Sequence, residues 1–494
     1  MISGDYKERT RKNKKGKEIT EKIIKTASGN EYIIGKRMGQ GGVGRVYKVR
    51  RVSDGKEFAF KEYMPSPDRA AIHKGIKKNL QTLLRNPILD RDGIPLKSFI
   101  GPIELVDLPA SRGFGYIMEL VDTENYVPLK KLWHSASIYP DALILCKICK
   151  NIAHLFTRLH LGTGWCYKDI NEGNIYINPK TGDIFVIDLD NISVPKTKTI
   201  LGTHGYMAPE VYVTNEPDTR TDQFSMAVYF YRLLIGGYPL EGKKTMEYLK
   251  KNNKAVQEAG DVIYGSMALF AFDPKDTSNS IQPLVKEKDG EVYQAQINLW
   301  NDLPEEIQQC FIRTFSTGLH NREMRATDGM WYKAFDDVEK NGLVKCKCGK
   351  HNFGSRTKQK ACKFCSKKLP MLPPKKVAAK STSILPTKKK ELTTVVFRAR
   401  RDVEPSKLRV EAMRKAELSG RVVHPSLPQS NLMRIEYSQK KNLLSAVNMS
   451  NITWSVSCDG VKDVCPPGKR VILKEDLVIT VLRRQLELKV LEIK

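Results

Sequence analysis

The sequence predicts an α+β chain that continues into a small cysteine-organised module and closes in an all-β domain. Three observations predict this: a glycine-rich run at 39–46 between alternating segments, two close cysteine pairs between 346 and 365, and period-two alternation from 393 onward. The 494 residues hold 83 Lys and Arg against 55 Asp and Glu, a formal charge of +28. Part of that excess lies in Lys7 to Lys17 and in a later lysine-rich stretch, and such basic tails attract polyanions non-specifically. There is no run of 18 or more apolar residues, which excludes a membrane-spanning receptor.

In order along the chain, residues 1–29 read as a basic N-terminal tail. Residues 32–34 and 46–49 alternate as strands on either side of Gly39, Gly41, Gly42 and Gly44. A glycine-rich hairpin is therefore favoured over the strand-to-helix turn of a dinucleotide fold. A third strand over 57–61 carries Ala59 and Lys61. Residues 115–120 read as a buried strand running through Met118 and Glu119 to Leu120. The apolar run 142–149 reads as a helix, with Cys146 and Cys149 as core thiols. Next come Tyr167, Lys168, Asp169, Ile170, Asn171, Glu172, Gly173 and Asn174, then a short hairpin and Asp188, Leu189, Asp190. Downstream, 202–210 reads GTHGYMAPE, followed by Asp222 and, much later, Arg325.

Taken together and in this order, the motifs over 30–340 resemble the eukaryotic-like protein kinase superfamily. The resemblance implies a two-lobed protein-kinase fold, with an N-lobe over 30–121 and a C-lobe over 122–340, and ATP with Mg²⁺ or Mn²⁺ as cofactors. Gly39, Gly41, Gly42 and Gly44 would cover the phosphates, and Val46 and Ala59 would flank the nucleotide. Lys61 would pair with the α and β phosphates, Met118 would act as gatekeeper, and Glu119 to Val121 would offer backbone groups to adenine. Asp169 would accept the substrate hydroxyl proton, Asn174 and Asp188 would hold magnesium, and Lys168 would support the loop and meet a phosphate on the activation segment. Thr203 implies serine or threonine acceptors in protein substrates. Thr197, Thr199 and Thr203 are the autophosphorylation candidates, Glu210 would be held by Arg325, and Asp222 would anchor the catalytic loop.

Departures from the family pattern bear on activity. Tyr167-Lys168 replaces His-Arg, Asn171 stands where a lysine often reaches the γ-phosphate, and Asp190 replaces the glycine of Asp-Phe-Gly. The helix expected to supply a glutamate to Lys61 has no acidic residue between Asp68 and Asp90. Glu62, Asp68 or Asp190 would have to substitute, or the nucleotide alone would hold the lysine. A pseudokinase scaffold displaying the later modules is the alternative reading. Against it stands the joint retention of Lys61, Asp169, Asn174 and Asp188.

Cys346, Cys348, Cys362 and Cys365 form two pairs with the spacing of a four-thiolate zinc ribbon over 341–369, with His351 as a possible exchange ligand. The N-terminus shows no signal-peptide pattern, so a reducing compartment and zinc are favoured over disulfides. Residues 370–392 read as a Lys/Pro-rich linker, and 393–494 as a β-sandwich-like binding module, of which a forkhead-associated-like phosphopeptide reader is one form. The Tyr-Lys-Asp loop, the Asp-Leu-Asp element, a large-lobe insert around 264–274 and 300–304, and the ribbon together resemble a bacterial-type Ser/Thr kinase subfamily of tellurium-resistance-type systems. That resemblance implies a cytoplasmic enzyme with a PP2C-type phosphatase and a von Willebrand A domain protein as partners.

Overall fold

The computed structural model describes residues 6–12, 18–41, 44–65, 70–89, 95–108, 113–192, 202–374, 392–398, 406–411, 416–419, 431–438, 443–450, 453–458, 461–472, 477–481 and 484–492. They fall into two compact units, one made of Met1–Ile88, Pro95–His160 and Gly164–Pro374, the other mainly of Lys375–Lys494.

The first unit opens with a seven-stranded antiparallel sheet: β1 (Lys7–Lys12), β2 (Glu18–Lys25), β3 (Glu31–Gln40), β4 (Gly44–Arg51), β5 (Glu57–Tyr63), β6 (Pro102–Asp107) and β7 (Phe114–Glu119). Their order is β1-β2-β3-β4-β5-β7-β6. Residues 7–12 and 18–25 were expected to be tail, and here the structure corrects the sequence reading: they pair from Lys7 opposite Ile23 to Lys12 opposite Glu18. The reason is physical. β1 is an edge strand exposed along its whole length, so it has no buried face to show as alternation, and β2 buries only Ile23 and Ile24.

Strand alternation gives the sheet two apolar faces. Ile24, Tyr32, Val49, Phe60, Val106 and Ile117 pack together on one. There Glu104 of β6 accepts from the Tyr32 hydroxyl at 2.7 Å and from Asn30 Nδ2 at 2.9 Å, tying the start of β3 to the far end of the sheet. On the other face, Ala59, Tyr63, Tyr116 and Met118 share a core with Ile76, Leu80 and Leu83 of helix α1 (Ala70–Arg85). The spacing 76, 80, 83 is one helical stripe.

The rest of the unit is mainly helical. A small sheet of β8 (Val127–Pro128), β9 (Ile175–Ile177) and β10 (Ile184–Val186) flanks the catalytic segment. Helices follow as α2 (Leu129–Trp133), α3 (Ala142–Thr163), α4 (Pro209–Thr214), α5 (Thr219–Leu234), α6 (Lys243–Asn252), α7 (Gly290–Asp302), α8 (Glu305–Ile312) and α9 (Asp328–Asn341). Asp141 caps α3 by accepting from the N–H groups of Leu143 and Ile144, and Asp218 with Thr221 forms a capping box on α5. α5 is buried from Thr221 to Leu234, so it is the post around which the lobe packs. Residues 264–274 and Trp300 supply an aromatic cluster to that core, with Phe272 stacked on Trp300 at 4.7 Å.

The cysteine module, with β11 (Leu343–Lys345) and β12 (His351–Phe353), belongs to this unit. Residues 370–374, expected to begin the linker, pack onto it: Leu372 N–H donates to the Ser355 carbonyl and Arg356 Nε donates to the Pro373 carbonyl. Of the rest of the expected linker, 375–391 lies outside the described residues and Leu392 begins a strand.

The second unit carries β13 (Leu392–Arg398), β14 (Ser406–Glu411), β15 (Ala416–Ser419), β16 (Asn431–Ser438), β17 (Leu443–Asn448), β18 (Trp454–Cys458), β19 (Val461–Cys465), β20 (Arg470–Ile472), β21 (Leu477–Val481) and β22 (Arg484–Glu492). They form a six-stranded sheet, β14-β13-β22-β21-β18-β19, and a four-stranded one, β15-β16-β17-β20. The period-two alternation seen from 393 onward corresponds to these strands.

Candidate active site

Register places the nucleotide-side residues on one face of the sheet. Val46 pairs with Lys61, Lys61 with Tyr116 and Ala59 with Met118, so these five side chains leave the sheet on the same side. The β3–β4 hairpin closes with Gly41 N–H donating to the Gly44 carbonyl at 2.9 Å. A Cβ on Gly44 would lie 2.3 Å from the Glu62 carbonyl oxygen, so close strand approach requires glycine there. At Gly39 and Gly41 a Cβ would meet nothing within 4 Å, which leaves room for a ligand to approach the backbone. Gly42 lies outside the described residues. Met118 is buried, Glu119 is exposed, and Val121 is intermediate.

Lys61 is buried, and its Nζ donates to Asp188 Oδ1 at 2.5 Å and to Asp190 Oδ2 at 2.7 Å. Burial alone would lower its pKa, but the two carboxylates carry it above its ordinary value. Asp188 has φ 61°, a left-handed conformation that turns the chain sharply after β10. Despite its burial, the Lys61 ammonium holds the Asp188 carboxyl below its usual range. Burial and the Asp188 charge push Asp190 up.

The catalytic segment is irregular backbone held by side chains. Asp222 on α5 accepts from Tyr167 N–H at 2.6 Å and from Lys168 N–H at 2.8 Å. Sequence reasoning missed His160, the residue behind it, whose Nε2 lies 3.1 Å from Asp222 and whose Nδ1 lies 2.9 Å from Asp328. A lone histidine near the end of an apolar helix carries no spacing signal. The Tyr167 hydroxyl donates to the Ile187 carbonyl, stitching the loop to the segment that bears Asp188. Lys168 was expected to meet a phosphate of the activation segment; in this conformation it is 8% exposed and burial lowers its pKa.

Asp169 is the focus of the loop. Its Oδ1 accepts from Asn171 Nδ2 at 3.0 Å and from the Thr203 hydroxyl at 3.1 Å, and its Oδ2 accepts from Asn174 Nδ2 at 2.9 Å. Burial, with the Asp188 charge added, pushes its carboxyl up to about 6. Asn174 turns its amide nitrogen to Asp169, so its oxygen is the end that a metal ion would meet. That oxygen together with Asp188 fits an all-oxygen magnesium site completed by phosphates and water.

Glu210 on α4 receives two bonds of 2.7 Å from Arg325, whose side chain is fully buried and whose Nε donates to the Gly318 carbonyl. Thr203 sits beside Asp169. Thr197 and Thr199 lie outside the described residues.

A candidate metal centre stands apart from this cleft. The sulfurs of Cys346, Cys348, Cys362 and Cys365 all lie within 4.8 Å of one another, with Cys346 to Cys365 at 3.6 Å and Cys348 to Cys362 at 3.7 Å. Tetrahedral zinc with bonds of ~2.3 Å needs sulfur separations of about 3.8 Å, so the thiolate set fits the ion. Cys362 Sγ also accepts from Phe364 N–H and Asn352 Nδ2, each at 3.4 Å. His351 does not join the four sulfurs. Its ring and its N–H face Asp141 Oδ2, at 3.3 and 2.9 Å. Lys360 and Lys363 reach Asp302 of α7, so the module is fastened to the helical lobe at both places.

Among the described residues, no helix is long and apolar enough to cross a membrane. The sequence profile of the protein kinase domain matches residues 32–287, more than half of the 494. The chain is similar to calmodulin-binding receptor-like cytoplasmic kinase 2 of Arabidopsis thaliana, 27% identical over 273 residues, 51% of this chain and 60% of the relative. It is similar to serine/threonine-protein kinase PLK1 of Xenopus laevis, 23% identical over 248 residues, 49% of this chain and 39% of the relative. It is also similar to Aurora kinase of Saccharomyces cerevisiae, 28% identical over 275 residues, 51% of this chain and 67% of the relative. The chain thus spans 60% and 39% of the first two relatives, so only part of either has a counterpart here. On its domain profile and its ordered set of site residues, the chain belongs to the protein kinase family.

Proposed function

We propose that the chain transfers the γ-phosphate of ATP to serine or threonine hydroxyls of protein substrates. The observation that carries this is the Asp169 carboxylate, half-buried and held by Asn171, Asn174 and Thr203. A scaffold that only binds has no use for a base so oriented. Magnesium-bound ATP supplies the transferable phosphoryl group and neutralises its charge. Asn174 and Asp188 would hold the metal, Lys61 would orient the α and β phosphates, and Asp169 would take the hydroxyl proton. Asn171 is spent on orienting Asp169, so the γ-phosphate contact that a lysine gives in many kinases is absent at this position. Thr203 beside Asp169 supports Ser/Thr acceptors, as does the similarity to serine/threonine-protein kinase PLK1.

The four cysteines are proposed to hold one structural zinc ion, closed by thiolates and with no open ligand position. A cytoplasmic, reducing setting is proposed with it. The bacterial-type subfamily, with its PP2C-type phosphatase and von Willebrand A domain partners, is proposed on the Tyr-Lys-Asp loop, the Asp-Leu-Asp element, the large-lobe insert and the cysteine motif. The domain limits are proposed as in the sequence reading, with the strands Lys7–Lys12 and Glu18–Lys25 added to the N-lobe and residues 370–374 to the ribbon. Autophosphorylation is proposed within the activation segment.

Incubating the full chain and Asp169→Ala with labelled ATP, Mg²⁺ or Mn²⁺ and a generic basic protein tests the activity. Label on serine or threonine that vanishes in the variant is expected. No transfer from folded, zinc-loaded protein would move the reading to the scaffold.

A further inference from the structure

A buried lysine needs a carboxylate, and the helix that the kinase resemblance assigns to supply one cannot: α1 reads AAIHKGIKKNLQTLLR. Of the acidic residues nearby in sequence, Asp68 lies outside the described residues. Glu62 follows Lys61 on β5, so its side chain leaves the opposite face of the sheet, where the Tyr6 hydroxyl donates to its Oε1 at 2.8 Å. Asp190 remains. Its Oδ2 accepts from Lys61 at 2.7 Å, its Oδ1 faces the Tyr116 hydroxyl at 3.4 Å, and its main-chain carbonyl accepts from Asn79 of α1 at 3.1 Å.

Asp188 and Asp190 differ in access. The Asp188 side chain is 32% exposed and opens on the cleft, whereas that of Asp190 is 6% exposed and sits behind the ammonium. Lys61 Nζ also faces the Tyr63 ring at 5.1 Å, which closes the pocket further. Once Asp188 shares its oxygens with a metal ion, Asp190 is the carboxylate left to the lysine.

We infer that Asp190 is the positioning residue of Lys61, standing in for the missing helix glutamate, so that one turn sets both the metal ligand and the lysine. This rests on the kinase reading. Among the described hydrogen bonds, α1 reaches the Asp190 turn through the Asn79 amide, and that bond goes to main chain. The orientation of Lys61 is therefore independent of any acidic group on α1.

A double-mutant cycle on the full chain tests it: Lys61→Met, Asp190→Asn and the pair. Affinity for a fluorescent ATP analogue with Mg²⁺, kcat and KM for ATP, and melting temperature are read for each. Asp190→Asn is expected to lower nucleotide affinity or transfer by ~10–100-fold with little change in melting temperature, and the double variant to be no worse than Lys61→Met within about twofold. Defects that multiply, or a changed Mg²⁺ requirement, would make Asp190 a metal ligand and overturn the inference. Wild-type behaviour of Asp190→Asn would overturn it as well. If Asp190→Asn melts early, Asp190→Glu decides, because it keeps the charge: retained affinity sustains the inference, and lost affinity in a folded protein overturns it. A wild-type chain that binds nucleotide but transfers nothing would sink the kinase reading, while the affinity cycle would still judge Asp190.

Discussion

Asp222 holds the catalytic segment through two main-chain N–H groups, whereas the cysteine module is held by four sulfurs within 4.8 Å of one another. Both are irregular stretches that must keep side chains in place. The catalytic segment borrows its order from α5 and the large core around it. The module has a core of its own of only Val344, Cys346, Cys362 and Leu369, with Cys365 and Leu372 at its edge. A segment buried in a large core fails with its lobe, and a small one cross-linked by metal fails by itself.

The sharpest break of this comparison is metal removal. Stripping the site with a strong chelator, or Cys362→Ser, takes away binding worth ~10–16 kcal/mol in zinc-finger peptides. Elemental analysis should show one zinc lost per chain, and hydrogen exchange should show protection lost over 343–372 with the β3–β5 strands unchanged. Equal loss in both places would erase the contrast.

Next in size is Asp222→Ala, which leaves two N–H groups and His160 without their acceptor. A cost of about 3–5 kcal/mol in urea denaturation is expected, as for other broken buried charge networks. A change under about 1 kcal/mol would mean that the loop is held by something other than α5.

The same network gives a pH dependence. Burial alone would lower the His160 pKa, but Asp328 and then Asp222 raise it to about 10. Against ~6.5 in the unfolded chain, the imidazolium contributes its stability in full below that value and loses it as pH climbs through 10. Between these limits the wild type should lose roughly 2–4 kcal/mol more than His160→Gln, read from urea midpoints. Parallel pH curves would show that His160 is neutral when folded.

Smallest is His351→Ala. It removes one partly exposed ring contact to Asp141 but keeps the backbone bond, so about 0.5–1 kcal/mol is expected. A larger fall in melting temperature would mean that the module props up the lobe as a whole.

Much of the site was legible because its chemistry is local in sequence. Asp169, Asn174 and Asp188 lie within twenty residues, and the cysteine pairs announce themselves by spacing. What was not legible depends on tertiary approach. The carboxylates that Lys61 meets are 127 and 129 residues away, and only folding brings Asp188 and Asp190 to it rather than Glu62. His160 acts through Asp222, 62 residues on, with no pattern to mark it. At the level of the fold, strands with one buried face were found, while the exposed edge strand β1 passed for a tail and the docking of the cysteine module left no trace in composition.

Asp141 gives α3 its N-terminal cap with one oxygen and receives His351 with the other, 210 residues later in the chain. During synthesis the first bonds can form as soon as α3 emerges; the second must wait until both lobes are made. Contacts of such long sequence separation close late in folding, because the intervening loop must already be ordered. The nascent kinase domain therefore spends its assembly with this aspartate half-engaged, until the cysteine module that bears His351 has been made and docks.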